Sequence, residues 1–239
     1  MINPVTELRA FLTAALVHPV DRDHSETPEA LVQRRWSSSV TLAVGSFMLA
    51  WSLRVAPGEP VFYAATIAVI ATWIVGGLVS GRIYIGSANT RDGGQFGRGI
   101  LQAVIIGVLL LVVFLGLAAL MSPVPVLHDS LVLLLGHIRW GLLPVTALFA
   151  VVNSVGEELF FRGALYAAVG GRQALLVTTL VYAVTTIPTG IPLLVLAAAL
   201  LGFVVGLQRR VTGGVLGPVI THLIWALGMF FLLPLVLGV

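Results

Sequence analysis

The sequence predicts an all-α fold, a polytopic transmembrane helix bundle with about seven spans. Three observations carry that prediction. Apolar residues fill 58% of the 239 positions, and charged residues only 10%, where a soluble domain carries about a quarter. The apolar residues fall in long runs close to the roughly 20 residues that a spanning helix needs. Stretches bearing arginine, glycine or proline divide those runs.

The expected spans lie at roughly 38–56, 61–80, 99–121, 140–161, 174–187, 192–208 and 214–236. The fifth and sixth are short and meet at "IPTGIP", where Pro188, Gly190 and Pro192 break the helix. Interrupted segments of this kind lie within protein or beside a wet cavity when they sit at membrane depth.

Residues 1–37 read as a cytoplasmic or interfacial N-terminal segment, and residues 38–239 as the transmembrane domain. Two helical pieces are expected in the first segment, because Asn3–Pro4 and Thr27–Pro28 each pair a capping side chain with a proline at the first helical position. Val5, Leu8, Phe11, Leu12 and Ala15 share one face. That face either lies in the membrane interface or packs on the bundle. With acidic residues early and no small-residue cleavage site, no signal peptide is expected.

Orientation follows from the arginines. All thirteen basic residues are arginine. Arg9, Arg22, Arg34, Arg35, Arg82, Arg91, Arg98, Arg162, Arg172, Arg209 and Arg210 fall on one side of the expected spans. Arg54 and Arg139 fall on the other, at helix ends where they can snorkel. The reading is a multi-pass protein of the cell membrane with a cytoplasmic N-terminus.

Several functions are excluded. Without cysteine there is neither a disulfide framework nor a thiolate nucleophile. The arginines are scattered between apolar spans, so no nucleic-acid partner is expected. "NTRDGGQFGRG" has neither P-loop nor dinucleotide spacing and reads as a flexible cytoplasmic loop. Gly202 and Gly206 form a GxxxG helix-packing signal. Thr178, Thr179, Thr185 and Thr186 read as hydroxyls bonded to carbonyls of their own helix.

The informative stretch is "NSVGEELFFRG", residues 153–163, at the end of the fourth span. Glu158 and Arg162 are four apart and can pair on one helix face. Glu157 points about 100° away and has no such counter-charge, with Asn153 one turn before it. A salt bridge at a helix end accounts for one glutamate. A second, unpaired glutamate within a membrane is a functional candidate and a candidate general base.

"EELFFRG" resembles the EExxxR motif of the CAAX prenyl protease and bacteriocin-processing (CPBP) family of intramembrane proteases. Glu157, Glu158, Arg162 and Gly163 all match. The resemblance extends over roughly residues 140–230 and implies a multi-helix membrane fold with its site inside the bundle, open to the cytoplasm. It implies that Glu157 activates water while Glu158 and Arg162 hold the helix, with later polar residues completing the site. The family's second motif, an aromatic residue followed four positions on by His, aligns with Tyr182 and Thr186. Its third, His followed four positions on by Asn or Asp, aligns with His222 and Ala226.

The catalytic set implied is therefore Glu157, Glu158, Arg162 and His222, with Asn153, Thr186 and Tyr182 as binding or supporting groups. Standing alone, His222 could equally be a hydrogen-bonded core residue. It lies twelve residues past Arg210, about 18 Å along a helix, whereas Glu157 lies about 8 Å before Arg162. Loop offsets have to bring the two level. His18 and His24 lie in the N-terminal segment, and His128 and His137 in the expected outer loop. No cofactor is expected. A catalytic zinc needs three protein ligands and an open position, and threonine at 186 removes one imidazole, so zinc is disfavoured.

Two functions compete for this pattern. One is an intramembrane endopeptidase of the family type, in which water activated by a glutamate attacks a peptide bond of a peptide or membrane-protein substrate near the cytoplasmic leaflet. The other is a catalytically impaired relative that binds a membrane partner or peptide in the inherited cavity. A proton-coupled transporter is a weaker third, because the cores of the other spans carry no charge.

Overall fold

The computed structural model describes residues 3–22, 24–56, 58–89, 97, 99–122, 124, 135–136 and 142–238. Eight helices follow one another among them. They are α1 (Pro4–Leu16), α2 (Pro28–Ser52), α3 (Pro60–Val79), α4 (Ile100–Met121), α5 (Leu143–Val169), α6 (Ala174–Thr186), α7 (Pro192–Thr212) and α8 (Leu216–Leu237). The expectations for Arg91, Arg98, His128, His137 and Arg139 fall outside the described residues.

Local sequence sets the helix starts. Asn3 Oδ1 accepts from Val5 N at 3.0 Å, and Thr27 Oγ1 accepts from Ala30 N at 3.3 Å, each with proline at the first helical position. Both are the expected caps. The expected break also appears: α6 passes through a 3₁₀ turn (Ile187–Thr189) to Gly190, whose φ of 78° is left-handed, before Pro192 opens α7.

Five helices are long and apolar enough to cross a bilayer: α3, α4, α5, α7 and α8. Two expected spans differ from that description. At 13 residues α6 is too short to cross unaided. The first expected span is the C-terminal part of the 25-residue α2, whose opening turns carry Glu29, Gln33, Arg34 and Arg35. Residue 37 lies inside that continuous helix. Arg34 is buried, its guanidinium paired with Glu26 and donating to the Arg82 carbonyl.

The fourth span does not stop at residue 161. It continues as a π-helical segment (Leu159–Leu165) and ends at Val169, so Arg162 is buried within the helix instead of lying in a loop. Likewise α7 runs past residue 208 to Thr212 and takes Arg209 into the interior. Both expected ends were placed at the first arginine. A buried partner removes the need for that arginine to leave the membrane.

In the bundle, α5 packs against α2, α3, α6, α7 and α8, while α4 lies along α8. Lipid offers little hydrophobic drive for helix association, so close backbone approach and dispersion hold such a bundle. Trp73 on α3 is fully buried against Phe160 and Phe161, with ring centroids 5.0 and 5.1 Å away. Gly45 on α2 makes room for it: a Cβ there would lie 2.3 Å from the indole. Gly206 does the same between α7 and α6, where a Cβ would meet Leu175 at 2.7 Å. Along the apolar face of α1, Ala15 near the C-terminal end is buried where the helix packs on α7, whereas Val5 and Leu8 near the start are exposed.

Candidate active site

Glu157, Glu158 and Arg162 reach the site on α5, His222 on α8 and Tyr182 on α6. All five side chains are buried, Glu158 and Arg162 completely. Arg162 Nη1 donates to Glu158 Oε1 at 3.1 Å, the expected pair four residues apart. The pair spans the start of the π-helical segment. Such segments carry a wider turn and recur at functional sites.

Arg162 is held twice more. Its Nη2 donates to the Gly202 carbonyl at 3.0 Å, and its guanidinium lies 4.9 Å from the centroid of the Tyr182 ring. Gly202 therefore does more than pack helices. A Cβ there would stand 3.1 Å from both Arg162 Nη2 and Tyr182 Cδ1. Arg209 Nε in turn donates to the Arg162 carbonyl at 2.6 Å, an acceptor inside the π-helical segment. Neither the Gly202 carbonyl nor Arg209 carries a sequence signal for this site. One belongs to a packing motif and the other to a basic pair near a helix end.

His222 Nδ1 lies 2.8 Å from Glu158 Oε1. A carboxylate paired with arginine only accepts, so the proton belongs on Nδ1 and the lone pair of Nε2 faces the other way. That face meets Glu157: Nε2 and Glu157 Oε2 are 3.9 Å apart. The loops and helix tilts do bring these two residues level. The next residue back, Thr221, fixes the rotation of α8, because its hydroxyl accepts from Gln208 at 2.8 Å and donates to the Ala103 carbonyl at 2.9 Å.

Glu157 has no arginine partner, as its helical position requires, but it is not without partners. Asn153 Nδ2 donates to Oε1 at 2.8 Å, and the Tyr182 hydroxyl donates to Oε2 at 2.5 Å. Two neutral donors thus hold both of its oxygens in place. Among the described residues, Asn153 Oδ1, Glu158 Oε2 and Arg162 Nε are buried without a partner.

Thr186 and Ala226 occupy the other two motif positions. Thr186 Oγ1 donates to the Ala183 carbonyl at 2.7 Å, so its proton is committed to its own helix. Thr178 and Thr185 bond their own helix in the same way, but Thr179 Oγ1 is buried with no partner among the described residues. Ala226 lines an apolar cavity of about 250 Å³ with Phe114, Trp225 and Phe230. Among the described residues no three of His, Cys, Asp and Glu form a metal-holding group. Glu158 Oε1 already serves both Arg162 and His222.

Residues 139–228 match the family model described as type II CAAX prenyl endopeptidase Rce1-like. No curated protein and no solved structure matches the chain. The matched region includes every candidate residue above, and over it the chain resembles the CPBP family, a family of proteases. Together with its five apolar helices, this match supports a multi-pass membrane protein that resembles CAAX proteases over residues 139–228.

Proposed function

We propose that this CAAX-protease-like chain is an intramembrane endopeptidase that attacks peptide bonds with water activated by Glu157. One observation carries the reading: Glu157 Oε2 and His222 Nε2 face each other across 3.9 Å, each held from behind by a different partner. The distance is too long for a direct hydrogen bond and short enough for one water to bond both atoms.

In the proposed reaction the Glu157 carboxylate takes a proton from that water, and the oxygen attacks the carbonyl carbon of the substrate. The carbonyl oxygen becomes an oxyanion. Glu157 then returns the proton to the departing amine nitrogen, so protons and charge balance over the step. Glu158 keeps His222 oriented, and Arg162 holds Glu158 in place, which makes both positioning residues. When His222 carries a second proton, Nε2–H donates to the oxyanion. Donors of this type contribute about 10²–10³ in rate. No step is routed through a metal. The substrate is a peptide or membrane protein, and the arginine distribution supports a cytoplasmic N-terminus with the site toward the cytoplasmic leaflet.

Thr186 and Ala226 favour a second reading. The hydroxyl at 186 is bonded to its own helix, and the side chain at 226 faces an apolar cavity. On that reading the chain is an impaired relative that binds a membrane partner or peptide without cutting it. A proteolysis assay comparing the intact protein with Glu157→Gln separates the two.

A further inference from the structure

A second cavity, of about 550 Å³, lies away from the glutamates, where the α1–α2 connection meets the ends of α5 and α7. Arg22, Arg35, Arg172, Arg209 and Arg210 all line it, with a single carboxylate, Glu26, whose oxygens are bonded to Arg34. Among the described residues none of the five arginines forms an ion pair.

Their existing contacts leave most of the donor capacity unused. Arg22 Nη1 donates to the Val211 carbonyl at 3.2 Å, Arg35 Nε to the Ala168 carbonyl at 3.1 Å, and Arg210 Nη2 to the Leu16 carbonyl at 3.5 Å. Arg209 is only 3% exposed. Its Nε bonds the Arg162 carbonyl and its guanidinium lies over the Tyr166 ring at 5.0 Å, but among the described residues its terminal nitrogens have no acceptor. Arg210 Nε is buried with no partner among the described residues. A buried guanidinium without an anion is costly, and like charges around one cavity add repulsion. An anion with several acceptor oxygens would relieve both.

We infer that this cavity is a binding site for a phosphate group. Planar guanidinium forks match phosphate oxygens in pairs, and five of them exceed what one carboxylate could engage. The volume admits more than the phosphate alone, and Leu31 and Val169 give it an apolar wall. The phosphate comes either from a free ion or from a lipid headgroup. The second source suits the neighbouring α1, which Arg210 ties to α7 and whose Val5 and Leu8 are exposed.

The test titrates the full-length protein in neutral detergent with three probes: inorganic phosphate, a short-chain phosphatidylglycerol, and a short-chain diacylglycerol that lacks phosphate. Binding is followed by calorimetry and by the shift in melting temperature. Wild type should bind inorganic phosphate or the phosphatidylglycerol, and whichever binds identifies the source. Arg35 and Arg172 are exposed, so the double variant Arg35→Gln/Arg172→Gln should keep its unliganded melting temperature while losing about tenfold or more in affinity. Arg9→Gln, outside the cavity, should bind as wild type does. Failure of both phosphate probes overturns the site. So does diacylglycerol binding as tightly as the phosphatidylglycerol, or an equal loss of affinity in Arg9→Gln.

Discussion

The Tyr182 hydroxyl donates to Glu157 Oε2, joining α6 to the one glutamate of the cluster that has no arginine. With Asn153 on the other oxygen, this fixes the carboxylate without neutralising it. Tyr182→Phe removes the donor and little volume. A hydrogen bond to a charged group is worth about 1.5–3 kcal/mol, so turnover should fall by roughly ten- to a hundredfold. KM and the melting temperature should move much less. Unchanged turnover in this variant would mean that Tyr182 only packs.

Glu158 and Arg162 form a pair with no exposure to solvent. Breaking such a pair by removing one partner costs about 3–5 kcal/mol. Arg162→Ala and Glu158→Ala should therefore each lower the melting temperature and yield sharply. In a double-mutant cycle the combined variant should lose far less than the sum of the two. Simple additivity would contradict the pairing.

Much of this arrangement was legible in the sequence. The Glu158–Arg162 spacing named the pair, the proline-headed caps named the starts of α1 and α2, and "IPTGIP" named the break between α6 and α7. Other parts had no signal. A π-helical insertion changes the register for a single turn, too little to alter an apolar periodicity, and an arginine with no visible partner reads as the end of a membrane helix, which is why α5 is expected to end before Arg162. The acceptor for Arg162 is a main-chain carbonyl at Gly202, and any residue supplies one. Tyr182 was recognisable as an aromatic position, but its hydroxyl reaches Glu157 only through the way α6 packs on α5.

Thr186 and Ala226 stand where the resembling family carries His and Asn or Asp. If the chain is a weakened protease, Thr186→His combined with Ala226→Asn should increase cleavage. A well-placed donor contributes about 10²–10³ in rate, and a gain approaching that range is expected if both side chains reach the site. A folded double variant that cleaves no faster would show that these two positions no longer face the reacting atoms.

The proposed topology is open to reporter fusions. Fusions after residue 58 and after residue 128 should report the outer side, and a fusion near residue 90 the cytoplasm, a pattern that requires the apolar C-terminal part of α2 to cross as the first span. The reverse pattern would place the arginine-rich ends outside and overturn the orientation.

The central claim is that Glu157 is the base. The most direct measurement is cleavage of a membrane-embedded peptide by the reconstituted full-length protein, with wild type and Glu157→Gln compared at equal folded protein. Glutamine keeps the shape of the side chain and removes its basicity. The account predicts that wild type cleaves, that Glu157→Gln does not, and that both bind the peptide alike. Equal cleavage by the two proteins, or peptide binding without cleavage by either, would contradict it.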